Sequence, residues 1–191
     1  HLRPRRQRQM CIRDRSFFDK IASFIRLNFF IPDSRIGWNY FAFKKAKKLI
    51  EENNINCVIT TGPPHSSHLI GKKIYNKFKL KWIVDLRDPW AELFYLKNKF
   101  QFNYVKKLNL KFELDVLNSA DAILTTVGNR YKTILRDKLS NTNKIYKIYN
   151  GYDKIAYDKI EEIKPESYNI VFTGILSKNH NYQLFLEVLS L

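Results

Sequence analysis

The chain has 191 residues and a formal net charge of +16, and 45% of its residues are hydrophobic. This apolar content excludes general disorder despite the charge, and the length allows one ordinary domain, or one domain with part of a second. The two cysteines are too few for a disulfide framework and favour a reducing compartment, and no apolar run reaches the roughly 20 residues of a membrane-spanning helix.

The first 16 residues differ in composition from the rest of the chain. They contain six arginines and no lysine, whereas the other 175 residues contain five arginines and 23 lysines. We expect a non-native tail at 1–16, because the composition changes at this point and because the run RRQRQMCIRD resembles translated adapter sequence. The alternative is a basic arm that binds nucleic acid. Because Met10 is the only methionine and the last helical pattern has no cap, we expect a fragment cut at both ends.

Two amphipathic patterns precede the first predicted strand. Residues 17–31 are apolar and aromatic with Lys20 and Arg26 among them, which is typical of a core helix or of a helix at an anionic membrane interface; we favour the core helix. The second pattern predicts a helix entered through residues 32–34. Its expected buried face consists of Trp38, Ala42, Ala46, Leu49 and Ile50.

Short β-branched runs then alternate with helix-sized segments. They predict strands over 57–61, 82–86, 122–126 and 145–149. Strands joined by helical crossovers indicate an α/β fold with a Rossmann-like parallel sheet and helices on both faces. Residues 152–167 are polar and predict a linker, and the run 170–174 predicts the first strand of a second α/β domain. We therefore expect one domain over 17–162, and over 163–191 the end of the linker and the truncated start of another domain.

Ligands of open α/β sheets bind beyond the carboxyl ends of the strands, so the turns that follow the predicted strands are the candidate sites. After the first strand, His65 and Ser66 open a helix. Either they cap it while His68 is solvated, or they face a ligand as hydrogen-bond donors. A zinc site built on His65 and His68 lacks a third ligand nearby, so we expect no metal. At the end of the second strand, Asp85, Arg87 and Asp88 put three charges in four residues.

Those three charged residues allow two interpretations. They can form a polar floor for a hydroxylated substrate, with Trp90 as a stacking wall, because carboxylates accept hydrogen bonds and an indole packs on C–H surfaces. Alternatively, Arg87 pairs internally with a carboxylate and only fixes the loop. The motifs of dinucleotide-binding enzymes, P-loop ATPases, zinc proteases and α/β-hydrolases are absent from the sequence, which disfavours these classes.

Six stretches resemble, in order, the N-terminal half of a glycosyltransferase of the GT-B fold, glycosyltransferase family 4. They are IPDSRIGW (31–38), VITTGPPHSSHLIG (58–71), WIVDLRDPW (82–90), ADAILTTVGNRY (120–131), IYNGYD (148–153) and IVFTGIL (170–176). The runs TGPPHSSHLIG and DLRDPW are the most specific. The resemblance implies two Rossmann-like domains across a cleft, with the acceptor bound mainly by the first domain and a nucleotide-sugar by the second.

The resemblance also implies roles for individual residues. The expected catalytic residues are His65 and Asp88, and the acceptor would be bound by Ser66, Asp85, Arg87 and Trp90. The donor would be bound by Gly128, Asn150 and Gly174, where a glycine lets the backbone approach the diphosphate. No metal or other cofactor is expected, and the nucleotide-sugar is a substrate.

The expected function is transfer of a hexosyl-type sugar from a nucleotide-sugar to a cell-surface glycan or a lipid-linked acceptor, as in cell-envelope polysaccharide biosynthesis. The expected place is the cytoplasm or the inner face of the cytoplasmic membrane, with peripheral contact to anionic lipid as one option and no specific nucleic acid. We expect this chain to be inactive alone, because the family's Gly-rich loop and paired glutamates lie outside it. The alternatives are a basic module that binds nucleic acid or anionic membrane without catalysis, and another GT-B enzyme such as a sugar-nucleotide epimerase.

Overall fold

A computed structural model describes residues 17–91, 99–126, 128–158, 170–173 and 182–189. The chain divides into two compact units, His1–Asn150 and Gly151–Leu191. The sequence places the boundary between its two domains later, after residue 162. The expected non-native tail at 1–16 lies outside the described residues, as do residues 159–169.

A parallel sheet forms the centre of the first unit. Its strands pair in the order β1 (Cys57–Gly62), β2 (Lys81–Leu86), β3 (Ala122–Thr125) and β4 (Ile145–Lys147). Successive strands are connected through α3 (Ser66–Phe78), α4 (Asn103–Ser119) and α5 (Asn129–Asp137), which are numbered after two earlier helices. A four-stranded, all-parallel sheet flanked by helices confirms the predicted Rossmann-like α/β class.

The connecting helices bury one face of the sheet. Trp82, Val84 and Leu86 of β2 are at most 1% exposed. They belong to a core cluster with Val116, Leu117, Ala120, Ile123, Tyr131, Leu135, Leu139 and Ile145. Right-handed crossovers between strands in sequential order place their helices on the same side. The other face, where the sequence also predicts helices, is less covered in the described part of the chain, since Ile59 is 63% and Tyr146 is 53% exposed.

A buried ion pair connects two helical segments of the first unit. Glu113 of α4 is fully buried, and its Oε2 atom accepts a hydrogen bond of 2.8 Å from Nζ of Lys138, which directly follows α5. A buried carboxylate is tolerated when a cation compensates its charge, so this pair joins α4 to the end of α5. The sequence analysis did not single out Glu113.

Two helices precede the sheet, α1 (Phe17–Phe29) and α2 (Asn39–Glu52), with a 3₁₀ turn at Ile36–Trp38 between them. The helix α2 packs against α3, but its predicted buried face is partly wrong, because Trp38 is 60% and Leu49 is 40% exposed. Within α1 only Asn28 is buried, so this segment is not the core helix that we favoured. No helix among the described residues combines the length and the apolar character needed to cross a membrane.

The second unit contains the helices α6 (Lys154–Asp158) and α7 (Tyr182–Leu189). The helix α7 agrees with the helical pattern at the end of the sequence. Residues 170–173, where the sequence predicts a strand, have no regular secondary structure. A strand requires a hydrogen-bonded neighbour, and the described part of this unit contains no other strand. The last residue of that run, Gly174, lies outside the described residues.

Candidate functional site

The carboxyl ends of the four strands meet at one edge of the sheet. Their last residues are in register across the sheet: Gly62, Leu86, Thr125 and Lys147. His65, Arg87 and Gly128 follow three neighbouring strand ends and therefore lie at the same edge. The backbone N–H of Arg87 donates to the carbonyl oxygen of Gly62 at 3.1 Å, which ties the first two loops together. A single site formed by these loops, as predicted from the sequence, requires that the three residues lie at the same edge.

His65 and Trp90 bring these two loops into contact through their rings. The imidazole stacks on the indole with ring centroids 4.8 Å apart and an angle of 8° between the planes. His65 is 5% exposed and Trp90 is 3% exposed. His68, which is fully buried, lies with its ring centroid 5.8 Å from that of Trp90. The indole of Trp90 therefore stacks on a histidine, and its face is not available to pack on a sugar as we expected.

The two histidines differ in their hydrogen bonds. Nδ1 of His68 lies 2.9 Å from Oγ1 of Thr60. Both ring nitrogens of His65 and Nε2 of His68 are buried, and within the described part of the chain none has a partner in strict hydrogen-bond geometry. The carbonyl group of Pro89 nevertheless interacts with His65 as a weak backbone hydrogen-bond acceptor. Leaving a buried polar atom without a partner costs about 1–3 kcal/mol. His65 could therefore gain a hydrogen bond from a ligand, but its buried nitrogens require that the loops around it first make room.

Burial controls the charge of both histidines. It lowers the pKa of His65, against the opposing effects of Asp33, of the Pro89 carbonyl group and of Asp88. Burial, with a smaller effect from the charge of His65, lowers the pKa of His68 to about 3. Both imidazoles are therefore neutral at neutral pH. A neutral imidazole accepts a hydrogen bond at one nitrogen and donates at the other, which suits a hydroxyl group.

Ser66 is held inside the chain. Its backbone N–H and its hydroxyl donate to the two carboxylate oxygens of Asp33 at 2.7 and 2.9 Å. Its carbonyl oxygen accepts a hydrogen bond of 2.7 Å from Nδ2 of Asn39. Ser66 is 1% exposed, so these contacts leave little of it for the acceptor that we predicted it to bind. No sequence pattern predicted this role for Asp33. Its negative charge near the first turn of α3 also interacts favourably with the helix dipole.

The three charged residues at the end of β2 do not all face the same way. Arg87 is exposed, and its Nη2 donates to the carbonyl oxygen of Pro63 at 2.7 Å. It thus contacts the preceding loop, as one interpretation expected, but through a backbone carbonyl group and not through the carboxylate that we predicted. Asp88 is also exposed and lies near enough to His65 to raise its pKa. Asp85 accepts a hydrogen bond of 2.7 Å from Oγ1 of Thr61. Because side chains alternate along a strand, Asp85 faces away from the core side on which His65 packs.

The residues predicted to bind the donor are spread along the chain. Gly128 precedes the first residue of α5, and a β-carbon there would meet nothing within 4 Å. Asn150 is exposed at the end of the first unit, and Gly174 lies outside the described residues. Lys147, which we did not predict, adds a positive charge at this edge. Its Nζ lies 3.0 Å from Oδ1 of Asn129, the first residue of α5.

Neither metal-ligand geometry in the described residues nor similarity to known proteins indicates a function for this chain. Among the described residues, no group of three His, Cys, Asp or Glu side chains is arranged to hold a metal ion. Comparisons of the chain with protein-family models, with curated proteins and with solved structures found no match. A function for this chain therefore has to be inferred from its own residues and from the geometry of this edge.

Proposed function

We propose that the first unit is the acceptor-binding domain of a GT-B glycosyltransferase of family 4. The reaction would transfer a hexosyl-type sugar from a nucleotide-sugar to a glycan or a lipid-linked acceptor of the cell envelope. The observation that carries this proposal is His65. It is a neutral imidazole at the carboxyl edge of a parallel sheet, and both its ring nitrogens lack a full hydrogen bond within the described residues. It also belongs to TGPPHSSHLIG, one of the two most specific stretches of the resemblance.

The partner proposed for His65 is a sugar hydroxyl. Both ring nitrogens are buried in this structure, so the hydroxyl group reaches them only after the neighbouring loop moves. The exposed carboxylate of Asp88, on the neighbouring loop, can accept a hydrogen bond from a second hydroxyl of the same sugar. In the transfer, the acceptor oxygen bonds to the anomeric carbon and loses its proton. The diphosphate leaves with the bonding electron pair, and either it or the neutral His65 takes the proton.

The donor side of the proposal depends on the turn after β3. Among the described residues no side chain caps the start of α5, and Lys147 contacts Asn129, the first residue of that helix. Free amides at a helix start and a nearby ammonium group favour a diphosphate, which agrees with the donor-binding role that the resemblance implies for Gly128. Electrostatic stabilisation of the leaving diphosphate would then need no metal ion. The roles of Asn150 and Gly174 rest on the resemblance alone.

Binding of simple sugars to the full chain tests the acceptor site. Saturation-transfer NMR with the methyl glycosides of glucose, galactose, mannose and N-acetylglucosamine should show transfer to the ring protons of at least one of them. The variants His65→Gln and Asp88→Asn should each weaken that binding about fivefold, which is the value of one hydrogen bond of about 1 kcal/mol. The matched control is Asp137→Asn, because Asp137 is exposed at the last residue of α5, remote from the carboxyl edge.

Two results would overturn the proposal. One is that no glycoside in this set receives saturation from the wild-type chain. The other is that His65→Gln binds as well as Asp137→Asn does, while its tryptophan fluorescence shows that the first unit is folded. Binding that is lost equally in all three variants would contradict the assignment of the site to His65 and Asp88.

A further inference from the structure

The start of α3 is capped by a residue from another loop. Pro63 and Pro64 have no N–H group, and among the described residues the imidazole of His65 forms no capping hydrogen bond at this helix start. The carboxylate of Asp33 supplies the cap, because its Oδ2 accepts a hydrogen bond of 2.7 Å from the backbone N–H of Ser66. The turn that carries His65 therefore depends on Asp33.

Ser66, the residue after His65, is held by two further hydrogen bonds. Its hydroxyl donates to Oδ1 of Asp33 at 2.9 Å, and its carbonyl oxygen accepts a hydrogen bond of 2.7 Å from Nδ2 of Asn39. Oδ1 of Asp33 also accepts a hydrogen bond of 2.8 Å from the backbone N–H of Arg35, which fixes the carboxylate. Because Ser66 and Asn39 are buried, water competes little for these contacts. The backbone beside His65 is thus held in one place.

Asp33 also acts on His65 through its charge. Burial lowers the pKa of His65, and Asp33 is the strongest of the groups that oppose this effect, ahead of the Pro89 carbonyl group and of Asp88. The neighbouring His68, with a pKa of about 3, carries no charge at neutral pH. A negative charge beside an imidazole stabilises its protonated form, so His65 accepts a proton more readily in the presence of Asp33.

We propose that Asp33 is a positioning residue of the His65 site, which holds the imidazole where it can meet an acceptor hydroxyl. This inference rests on the function proposed above, and it concerns a residue to which the family resemblance assigned no role. Asp33 acts through Ser66 and His65, because its carboxylate oxygens accept the hydrogen bonds of Ser66 and Arg35. Its loss should therefore weaken acceptor binding only in a chain that retains His65.

A double-mutant cycle on the full chain tests this role. Asp33→Asn keeps one oxygen for the hydroxyl of Ser66 but removes the charge and the acceptor of the Ser66 N–H, so the first unit should remain folded. It should weaken the binding of a methyl glycoside, measured by saturation-transfer NMR, about fivefold. In the His65→Gln background the same change should weaken binding by less than about twofold, because the group through which Asp33 acts is gone.

The matched control is Asp121→Asn. Asp121 also accepts a hydrogen bond from a backbone N–H, that of Trp82 at 2.8 Å, but it precedes β3 and so lies at the opposite edge of the sheet. The control should leave glycoside binding unchanged. Without ligand, Asp33→Asn should shift the ring-proton NMR signals of His65 more than Asp121→Asn does, because these protons lie against the indole of Trp90 and sense small movements of the imidazole.

The outcomes separate this inference from the function on which it rests. Equal shifts of the His65 signals in Asp33→Asn and Asp121→Asn would overturn the positioning role. So would a fivefold loss of binding that persists in the His65→Gln background, and both results would leave the proposed function intact. A wild-type chain that binds no glycoside would contradict the proposed function and, with it, the effect of Asp33 on acceptor binding.

Discussion

Thr60 and His68 are joined by a hydrogen bond of 2.9 Å between Oγ1 and Nδ1. The same hydroxyl accepts a hydrogen bond of 2.9 Å from Nε1 of Trp82. Because an indole nitrogen only donates, the hydroxyl proton is available for Nδ1, and we assign to His68 the neutral tautomer with its proton on Nε2. A chain of hydrogen bonds thus runs from β2 through β1 to α3 and fixes the ring that lies next to His65.

Replacing Thr60 by valine should therefore destabilise the first unit. The change keeps the shape of the side chain but leaves Nε1 of Trp82 and Nδ1 of His68 buried without their partner. We expect the free energy of unfolding to fall by about 3 kcal/mol, the cost of two such orphaned groups. Urea unfolding followed by tryptophan fluorescence measures it, because Trp38, Trp82 and Trp90 all lie in the first unit.

The matched control is Thr60→Ser, which keeps the hydroxyl and removes only a methyl group. We expect it to cost about 1 kcal/mol or less. If the valine variant were no less stable than the serine variant, the hydrogen bonds of Thr60 would contribute nothing, and the tautomer assigned to His68 would lose its support.

The buried His68 also predicts that acid weakens the fold. The pKa of His68 is about 3 in the folded chain, below the ordinary value of 6.5. At a pH between these two pKa values, the unfolded chain therefore binds a proton that the folded chain does not. The contribution of His68 to stability is fully present above pH 6.5. It is lost as the pH falls from 6.5 towards 3, at about 1 kcal/mol per pH unit.

Urea unfolding at a series of pH values from about 7.5 to about 5 checks this, because it gives the slope of stability against pH. The wild-type slope should exceed that of His68→Gln, which has no imidazole to protonate. Some slope should remain in the variant, since burial also lowers the pKa of His65. Parallel curves for the two proteins would show that His68 is accessible to protons in the folded chain.

Local patterns were enough to predict the sheet. The run around Val58 and the run around Val84 are short, rich in β-branched residues and followed by proline, and both form strands. The exposed aromatic residues of α1 were not predictable in the same way. An apolar pattern such as that around Phe18 is the same whether the rest of the chain covers it or not, so burial cannot be read from it.

The candidate site was predicted only where its residues adjoin a strand end. His65 lies three residues after the end of β1, and Arg87 follows β2 directly. In a parallel sheet the residues after the strands lie at one edge, so their proximity can be predicted from the strands alone. Asp33 contacts Ser66 from a loop more than 30 residues earlier, and no spacing rule connects the two. Trp90 was expected to be a stacking wall because an indole packs on the C–H surface of a sugar, but in the structure His65 stacks on it and the residue is buried.

Gly62 provides the last test, because it leaves the space that the two histidines occupy. A β-carbon at this position would overlap Nε2 of His68 and lie 2.9 Å from Nδ1 of His65. Overpacking of this kind costs about 1–3 kcal/mol, so we expect Gly62→Ala to lower the free energy of unfolding by about 2 kcal/mol. The displaced rings should also give His65 and His68 new imidazole NMR shifts.

The matched control for Gly62→Ala is Gly37→Ala, where a β-carbon would meet nothing within 4 Å. We expect this variant to be as stable as the wild type or slightly more so, since alanine restricts the unfolded chain. Both variants are compared by urea unfolding with tryptophan fluorescence. Equal stability of the two variants would show that the histidines do not pack against the end of β1. It would contradict the arrangement of His65 on which the proposed site depends.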